Sequence, residues 1–226
     1  MLGALGATLA LWSPPAPAER YVGTATCMSC HAEMATTYAL TAHALTSSLA
    51  SAKTIHGDFS PGANVMRTSN PDLHFRLESD GGRFTQTAVT RTSSNQVLTR
   101  EALMEIVIGS GRKGQTFLHW QDDRLCQLPV SYWTEQRAWV NSPGYVDGHA
   151  NFDRPITQRC LECHATTVVS RAPPINRYKP DSLVPGISCE KCHGPGGEHV
   201  DRYRSPSPPR TAAEAAIVNP ARLSRG

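Results

Sequence analysis

The sequence has no excess of charge, few aromatic residues and no long hydrophobic run. There are 22 lysine and arginine residues against 19 aspartate and glutamate residues, which gives a net charge of +3. Such a small charge, scattered along the chain, does not indicate a nucleic-acid surface. Aromatic residues make up 7% of the chain, and no segment after residue 18 is long and apolar enough for a membrane helix. The 226 residues suffice for one large domain with a buried core.

Cysteine and histidine are arranged in a repeated pattern. Six of the seven cysteines form three Cys-x-x-Cys pairs, and a histidine follows each pair at once. With nine histidines in the chain, chance would give this coincidence about 6 times in 100,000, and the spacing is the signature of c-type haem attachment. The seventh cysteine, Cys126, is predicted to be a small buried hydrophobic residue. The three motifs are Cys27, Cys30 and His31; Cys160, Cys163 and His164; and Cys189, Cys192 and His193.

The spacing of each motif follows from the chemistry of haem attachment. Two thiols add to the vinyl groups of one porphyrin, and two intervening residues bring both sulfur atoms to one edge of the ring. The next residue then lies beneath the iron, where an imidazole nitrogen is the proximal ligand. The sequence therefore predicts three covalently attached haem c groups, with His31, His164 and His193 as iron ligands.

Six histidines lie outside the motifs, and three of them are predicted to be distal iron ligands. If one helix joins His31 to His43, the two residues are about 18 Å apart, which is too far for opposite faces of one haem. We therefore expect His43 to reach a different haem. His199 follows a turn-forming run at residues 194–197 and is also expected to reach a neighbouring haem. His149 is close in sequence to the second motif and is the candidate for the third distal position. His56 is expected to be solvated or hydrogen-bonded, and packing beside aromatic residues in predicted strands explains His74 and His119.

The N-terminal segment has the features of an export signal. Residues 2–12 form a short apolar run, and a small-x-small site at residues 16–18 precedes charged residues. We predict a signal peptide at 1–18 and a periplasmic or otherwise exported protein. The rest is divided into 19–53, with the first motif and a helix; 54–150, a β-containing insertion; 151–203, with the second and third motifs; and 204–226, a proline-rich linker and tail.

Local patterns predict helices and hairpins between the motifs. Residues 31–49 contain no glycine or proline and many good helix formers, so one helix is expected there. Alternating apolar residues predict a hairpin over 73–89 and another over 116–130. Short helices are predicted at 101–108 and 211–218.

The sequence resembles exported multihaem c-type cytochromes related to the tetrahaem electron acceptor of hydroxylamine oxidation, including relatives fused to tetratricopeptide repeats. The resemblance implies a multihaem cytochrome c fold, mainly α and irregular loops packed around haems, to which the sequence adds a small β-hairpin-containing insertion. In such relatives the residues matching His43 and His199 are distal ligands. Residues 217–223 are similar to the lead-in of a further motif in longer relatives, so the chain is expected to be a fragment of a longer multihaem protein or a three-haem version. The resemblance lies in residues 21–33, 41–44 and 186–200.

These observations favour an electron carrier over two other classes. The carrier would pass single electrons along three haems between redox proteins that act as electron donor and acceptor. The alternative is a multihaem oxidoreductase that acts on a small nitrogen or oxygen species at a five-coordinate haem. A zinc or disulfide module is disfavoured, because neither gives a reason for a histidine after all three cysteine pairs.

Overall fold

The computed structural model describes residues 20–171, 173, 175–211 and 215–224. The signal peptide predicted for residues 1–18 lies outside these described residues. Within them, 32% of the residues are in strands and 19% are helical. The expectation of a mainly α fold with a small β insertion is therefore wrong, because antiparallel sheets form most of the regular structure. No helix in the described part of the chain is long and apolar enough to cross a membrane.

Thirteen strands are present among the described residues, together with five short α-helices and two single 3-10 turns at Pro180–Ser182 and Pro220–Arg222. The strands are β1 Ser47–Leu49, β2 Val65–Arg67, β3 Leu73–Asp80, β4 Arg83–Arg91, β5 Val97–Leu103, β6 Ile106–Ile108, β7 Gly114–Gln121, β8 Arg124–Gln127, β9 Val130–Trp133, β10 Ala138–Asn141, β11 Arg154–Pro155, β12 Ala165–Thr167 and β13 Val184–Pro185. The helices are α1 Thr24–Met28, α2 Ala32–Tyr38, α3 Gln158–His164, α4 Cys189–His193 and α5 Gly197–Arg204.

The strands form three sheets. A seven-stranded sheet has the order β1-β6-β7-β8-β11, and β9 joins it by pairing with both β7 and β10. A four-stranded sheet has the order β2-β3-β4-β5, and β12 pairs with β13 in a third, small sheet. The pairs of named strands are antiparallel.

Both predicted hairpins are confirmed. Strands β3 and β4 pair up to Asp80 and Arg83, and the two residues between them, Gly81 and Gly82, have φ angles of 54° and 85°. Positive φ at both positions suits the tight turn that matches strand twist. Strands β7 and β8 pair up to Gln121 and Arg124, and Asp122 in the two-residue turn between them has a φ of 57°.

The single helix predicted over 31–49 is present only as α2, and the helix predicted over 101–108 is wrong. Residues 212–214 of the third predicted helix lie outside the described residues. Within residues 31–49, α2 ends at Tyr38, turns follow, and Ser47–Leu49 forms β1. The Thr41 hydroxyl donates to Tyr38 O at 2.7 Å and accepts from Ala44 N at 3.2 Å, which stabilises a turn instead of a continuing helix. Residues 101–108 lie mostly in β5 and β6, and the described part of 211–218 contains no helix.

The seven-stranded sheet is the middle layer of the fold because both of its faces are buried. Side chains alternate along its strands, so Phe117 contacts a core shared with the four-stranded sheet while Leu118 packs in a second core on the other face. The second core includes Leu161 of α3 and the fully buried Tyr178. The helix that carries the second cysteine motif is therefore fixed directly on the sheet.

Candidate haem sites

Each cysteine motif lies in or directly after a short helix. Helix α3 contains the whole second motif and α4 the third, while the first begins in α1 and ends at the following His31. Residues three or four positions apart share one face of a helix. Helical backbone therefore brings the two cysteines and the histidine of the second and third motifs to the same side, as attachment to one porphyrin requires. In the first motif, Cys30 N and His31 N both donate to Cys27 O, which continues the turn beyond α1.

The six motif thiols are free and reachable. The side chains of Cys30, Cys160, Cys163 and Cys192 are in exposed residues, and Cys27 and Cys189 are half-buried. Partial burial raises the pKa of the Cys27 thiol, and the neighbouring Cys189 and Glu190 raise it further. Cysteines of the first and third motifs are thus close neighbours, although more than half of the chain separates them in sequence.

One cavity of about 830 Å³ is shared by the first and third motifs. Its surface is largely apolar, and its lining includes Cys27, Cys30, His31, Cys192, His193 and His199. Pockets for organic ligands and cofactors commonly have this size and an apolar lining with a few polar groups. The cavity therefore suits the apolar faces of porphyrin, with thiols and imidazoles at its wall.

Three histidines have the hydrogen-bonding pattern of metal ligands. His193 Nδ1 lies 2.8 Å from Val218 O, and His199 Nδ1 lies 2.7 Å from Ala215 O. A backbone carbonyl only accepts, so each Nδ1 carries the proton and Nε2 keeps a free lone pair. His164 Nδ1 is 2.7 Å from Thr46 Oγ1 and 3.3 Å from Thr46 O. Histidines that bind metals are oriented by such bonds from the other ring nitrogen, so these residues fit haem iron.

His199 lies beside the histidine of the first motif. The ring centroids of His31 and His199 are 6.3 Å apart, and the two rings are inclined by 21°. The chain reaches this position through a turn at Gly194, which has a φ of 76°, and through α5, which begins at Gly197. Gly197 N donates to Arg20 O at 3.0 Å, so α5 starts in contact with the segment that precedes the first motif.

The segment after α2 connects the second and third motifs. The Ser47 hydroxyl donates to His164 O and accepts from Gly186 N at 2.8 Å. Ile187 N, just before the third motif, donates to His43 O at 3.1 Å. His43 itself is exposed. Because no continuous helix joins His31 to His43, the premise of the 18 Å separation is wrong, while the haem that His43 serves stays a prediction.

The other histidines belong to the β region. His149 is exposed in the loop after Gly148, and a Cβ at Gly148 would lie 3.1 Å from Ser69 Oγ. His119 is buried and its Nε2 lies 2.8 Å from Phe152 O. His56 is exposed and His74 is half-buried.

The cysteine outside the motifs is buried, as predicted. The sulfur of Cys126 accepts from Asn176 Nδ2 at 3.7 Å. Burial also raises the pKa of its thiol, which keeps the thiol protonated and unreactive. Cys126 therefore belongs to the core and not to a haem site.

Two contributors to the sites carry no sequence signal. Thr46 orients His164 through its hydroxyl, yet nothing in the run around it marks it as a partner of a residue more than a hundred positions away. Glu190, inside the third motif, is buried and hydrogen-bonded, whereas a glutamate between two cysteines is by itself most simply interpreted as solvent-exposed. Only the fold identifies both residues.

Comparisons with known proteins agree with a c-type cytochrome in broad terms. The model of the family Cytochrome c554 and c-prime matches residues 120–194, about a third of the chain, which include the second and third motifs. This match supports a multihaem c-type cytochrome. A comparison with curated proteins gives no match.

One solved structure is similar to this chain. It is an undecaheme cytochrome from the S-layer of Carboxydothermus ferrireducens, with 18% sequence identity and a TM-score of 0.43. The similarity covers 84% of this chain and 23% of that chain. This chain therefore matches about a quarter of the length of that larger protein.

Proposed function

We propose that this chain is an exported three-haem c-type cytochrome that passes single electrons between redox proteins. Its haem c groups are held by Cys27 and Cys30, by Cys160 and Cys163, and by Cys189 and Cys192. Iron porphyrin supplies the one-electron chemistry, and the protein sets its potential through the axial ligands, burial and nearby charge. Two observations support this proposal: the three cysteine motifs, and the hydrogen bonds of His164, His193 and His199, which are of the kind that metal-binding histidines make.

The shared cavity is the observation that carries the proposal. Two haem-attachment motifs, far apart in the sequence, line a single apolar space of about 830 Å³. A single-haem binding module or an isolated structural motif gives no reason for that convergence. Electron transfer does, because an electron moves between redox groups only when those groups are close together.

The iron ligands follow from the same contacts. His31, His164 and His193 bind the irons of their own motifs. His31 and His199 both line the shared cavity, and their ring centroids are 6.3 Å apart. This proximity supports His199 as a residue that would hold the iron of the first motif together with His31. His43 remains the candidate for one of the other two irons, because His43 O accepts from Ile187 N just before the third motif and the nearby Ser47 hydroxyl donates to His164 O.

A catalytic oxidoreductase is the second candidate, and the position of His149 favours it. This residue is the sequence candidate for the third distal ligand and is close in sequence to the second motif, but it is exposed beyond Gly148, next to the loop at residues 69–70. An iron of the second motif that lacks a protein ligand opposite His164 would bind a small nitrogen or oxygen species. The spin state of that iron separates the two functions.

Mass spectrometry and visible spectroscopy of mature protein test the proposal. We expect the polypeptide mass plus three haems, and sharp reduced c-type bands that survive acid-acetone extraction. In His199→Ala, one of the attached haems is expected to gain the ability to bind carbon monoxide. The matched change His74→Ala in strand β3 is expected to leave carbon monoxide binding unchanged. A bare polypeptide mass in correctly matured material would contradict the proposed function.

A further inference from the structure

Glu190 is a buried carboxylate inside a haem-attachment motif. It follows the first cysteine of the third motif and is 3% exposed. The residue at the same motif position is Met28 in the first motif, 43% exposed, and Leu161 in the second, where an apolar side chain enters the core. Haem attachment itself does not require a carboxylate there, so the burial of Glu190 has another cause.

Three backbone N–H groups surround the Glu190 carboxylate. Oε1 accepts from Val22 N at 2.8 Å and from Gly196 N at 2.9 Å, and Oε2 accepts from Gly23 N at 2.9 Å. An ionised carboxylate only accepts hydrogen bonds, so these donors match it. Hydrogen bonds to a charged partner are also stronger than neutral ones. We call these four residues, Glu190, Val22, Gly23 and Gly196, the Glu190 clamp.

The clamp joins three parts of the cavity wall. Val22 and Gly23 directly precede α1, which begins the first motif, and Glu190 belongs to α4 of the third. Gly196 lies in the turn that leads to α5 and thus to His199. A single side chain therefore connects both motifs with the helix that brings His199 beside His31.

The glycines of this turn show how closely the parts meet. A Cβ at Gly196 would lie 3.3 Å from Glu190 Oε1 and 3.1 Å from Val22 Cγ2. A Cβ at Gly197 would lie 2.9 Å from Arg20 O, a backbone atom. The turn thus packs directly on the segment before the first motif, and the clamp is the polar part of that contact.

We propose that Glu190 is a positioning residue for the first and third haems, and that its fixed negative charge lowers the reduction potentials of both. It acts on the first iron through His199, because it holds the turn that begins α5. It acts on the potentials because a negative charge stabilises the ferric form relative to the ferrous form. The inference rests on the proposed function and assigns this residue a role in that same site.

The test uses the mature holoprotein with Glu190→Gln. The amide has nearly the same shape but no charge, and its NH2 group faces a backbone N–H donor instead of accepting from it. We expect three attached haems and one additional haem equivalent that binds carbon monoxide. The reduction potentials of the first and third haems are expected to rise by about 59 mV. At a fixed applied potential, this raises the ferrous-to-ferric ratio of each haem about tenfold.

Glu162→Gln is the matched control. Glu162 lies in the second motif, is exposed, and loses the same charge on substitution. We expect carbon monoxide binding and the potentials of the first and third haems to match those of the unsubstituted protein. An equal effect of both substitutions would overturn the proposal.

Four further outcomes would decide for or against the role of Glu190. Full haem content in Glu190→Gln, with unchanged carbon monoxide binding and potentials, would overturn the role of Glu190 and leave the proposed function intact. If haem attachment fails, peptide mass spectrometry of Glu190→Gln and Glu190→Asp locates the loss. Loss at the first and third motifs with retention at the second supports the clamp, and equal loss at all three overturns it. Absence of haem from the unsubstituted protein would contradict the proposed function and the clamp together.

Discussion

The second motif and the cavity shared by the first and third motifs are fixed in the fold by different kinds of contact. The second motif is fixed by apolar packing, since Leu161 enters the core beneath the seven-stranded sheet. The shared cavity is closed by polar and backbone contacts between chain segments far apart in sequence, such as Gly197 N to Arg20 O. One candidate haem site is thus built on the core of a sheet, whereas the other is formed where segments distant in sequence meet.

The largest effect is expected from the apolar anchor of the second motif. Leu161→Ala should lower the free energy of unfolding by about 2–5 kcal/mol, because it leaves a cavity in a closed core. Chemical denaturation followed by far-UV circular dichroism measures it. Met28→Ala, at the same position of the first motif but 43% exposed, should change that free energy by no more than about 0.5 kcal/mol. Similar losses in the two variants would contradict the difference between the sites.

Gly197→Ala tests the backbone contact that closes the cavity. The added Cβ would meet Arg20 O at 2.9 Å, so we expect α5 to shift at a cost of about 1–3 kcal/mol. Carbon monoxide binding by the reduced protein should rise by one haem as His199 moves away. Asp201→Ala removes only the exposed salt bridge to Arg20 and serves as the control. If Asp201→Ala raises carbon monoxide binding as much as Gly197→Ala does, the side-chain ion pair and not the backbone contact closes the cavity.

A smaller and more local effect is expected at Thr46. Thr46→Val removes the hydroxyl that lies 2.7 Å from His164 Nδ1, at a cost of about 0.5–1.5 kcal/mol. The loss should shift the potential of the second haem alone in a redox titration. Thr36→Val, which removes an exposed hydroxyl bonded to Ala32 O within α2, is the control. A shift of all three potentials would show that Thr46 acts beyond its own motif.

The smallest effect concerns the loop between the second and third motifs. Asp123 accepts from Arg177 Nε at 2.8 Å, and this hydrogen bond lowers the pKa of the Asp123 carboxyl. Its stabilising contribution is therefore present above the unfolded pKa of about 3.9 and is lost as pH falls through the lower folded value. Asp123→Asn should be less stable than the unsubstituted protein at neutral pH, with a difference that disappears in acid.

Thermal unfolding at several pH values measures that difference. The neighbouring Asp122→Asn is the control, because Asp122 is exposed and asparagine tolerates its positive φ. A stability difference that persists unchanged in acid, well below the unfolded pKa of about 3.9, would contradict the role of the Asp123 ion pair.

Sequence patterns predicted the parts of the fold that depend on near neighbours. The hairpin around Gly81 and Gly82 was predictable because its turn and its alternation lie within one short segment. The two wrong helices, over 31–49 and 101–108, contain β1 and β6, and these strands pair with each other from Ser47 with Ile108 to Leu49 with Ile106. Each segment has local preferences compatible with a helix, and only pairing with a distant partner makes it a strand.

The candidate sites show the same limit. Motif spacing alone predicts His31, His164 and His193 as ligands, and a glycine-rich turn draws attention to His199. That His199 lies beside His31, rather than beside another motif histidine, depends on α5 contacting Arg20. Glu190 and Thr46 could not be found, because the contacts of Glu190 with Val22 and of Thr46 with His164 each join residues more than a hundred positions apart.

The Glu190 clamp has a consequence for the order of folding. Glu190 and Val22 are separated by 168 positions, whereas the hairpins of the four-stranded sheet close through short turns. Closing a longer loop costs more chain entropy, and structures with non-local contacts form slowly. We therefore expect the local hairpins to form first and the cavity to close last. If the chain is exported from its N-terminal end, as we propose, the first motif would emerge long before the residues that enclose it, and its cysteines would be open to the attachment machinery throughout that interval.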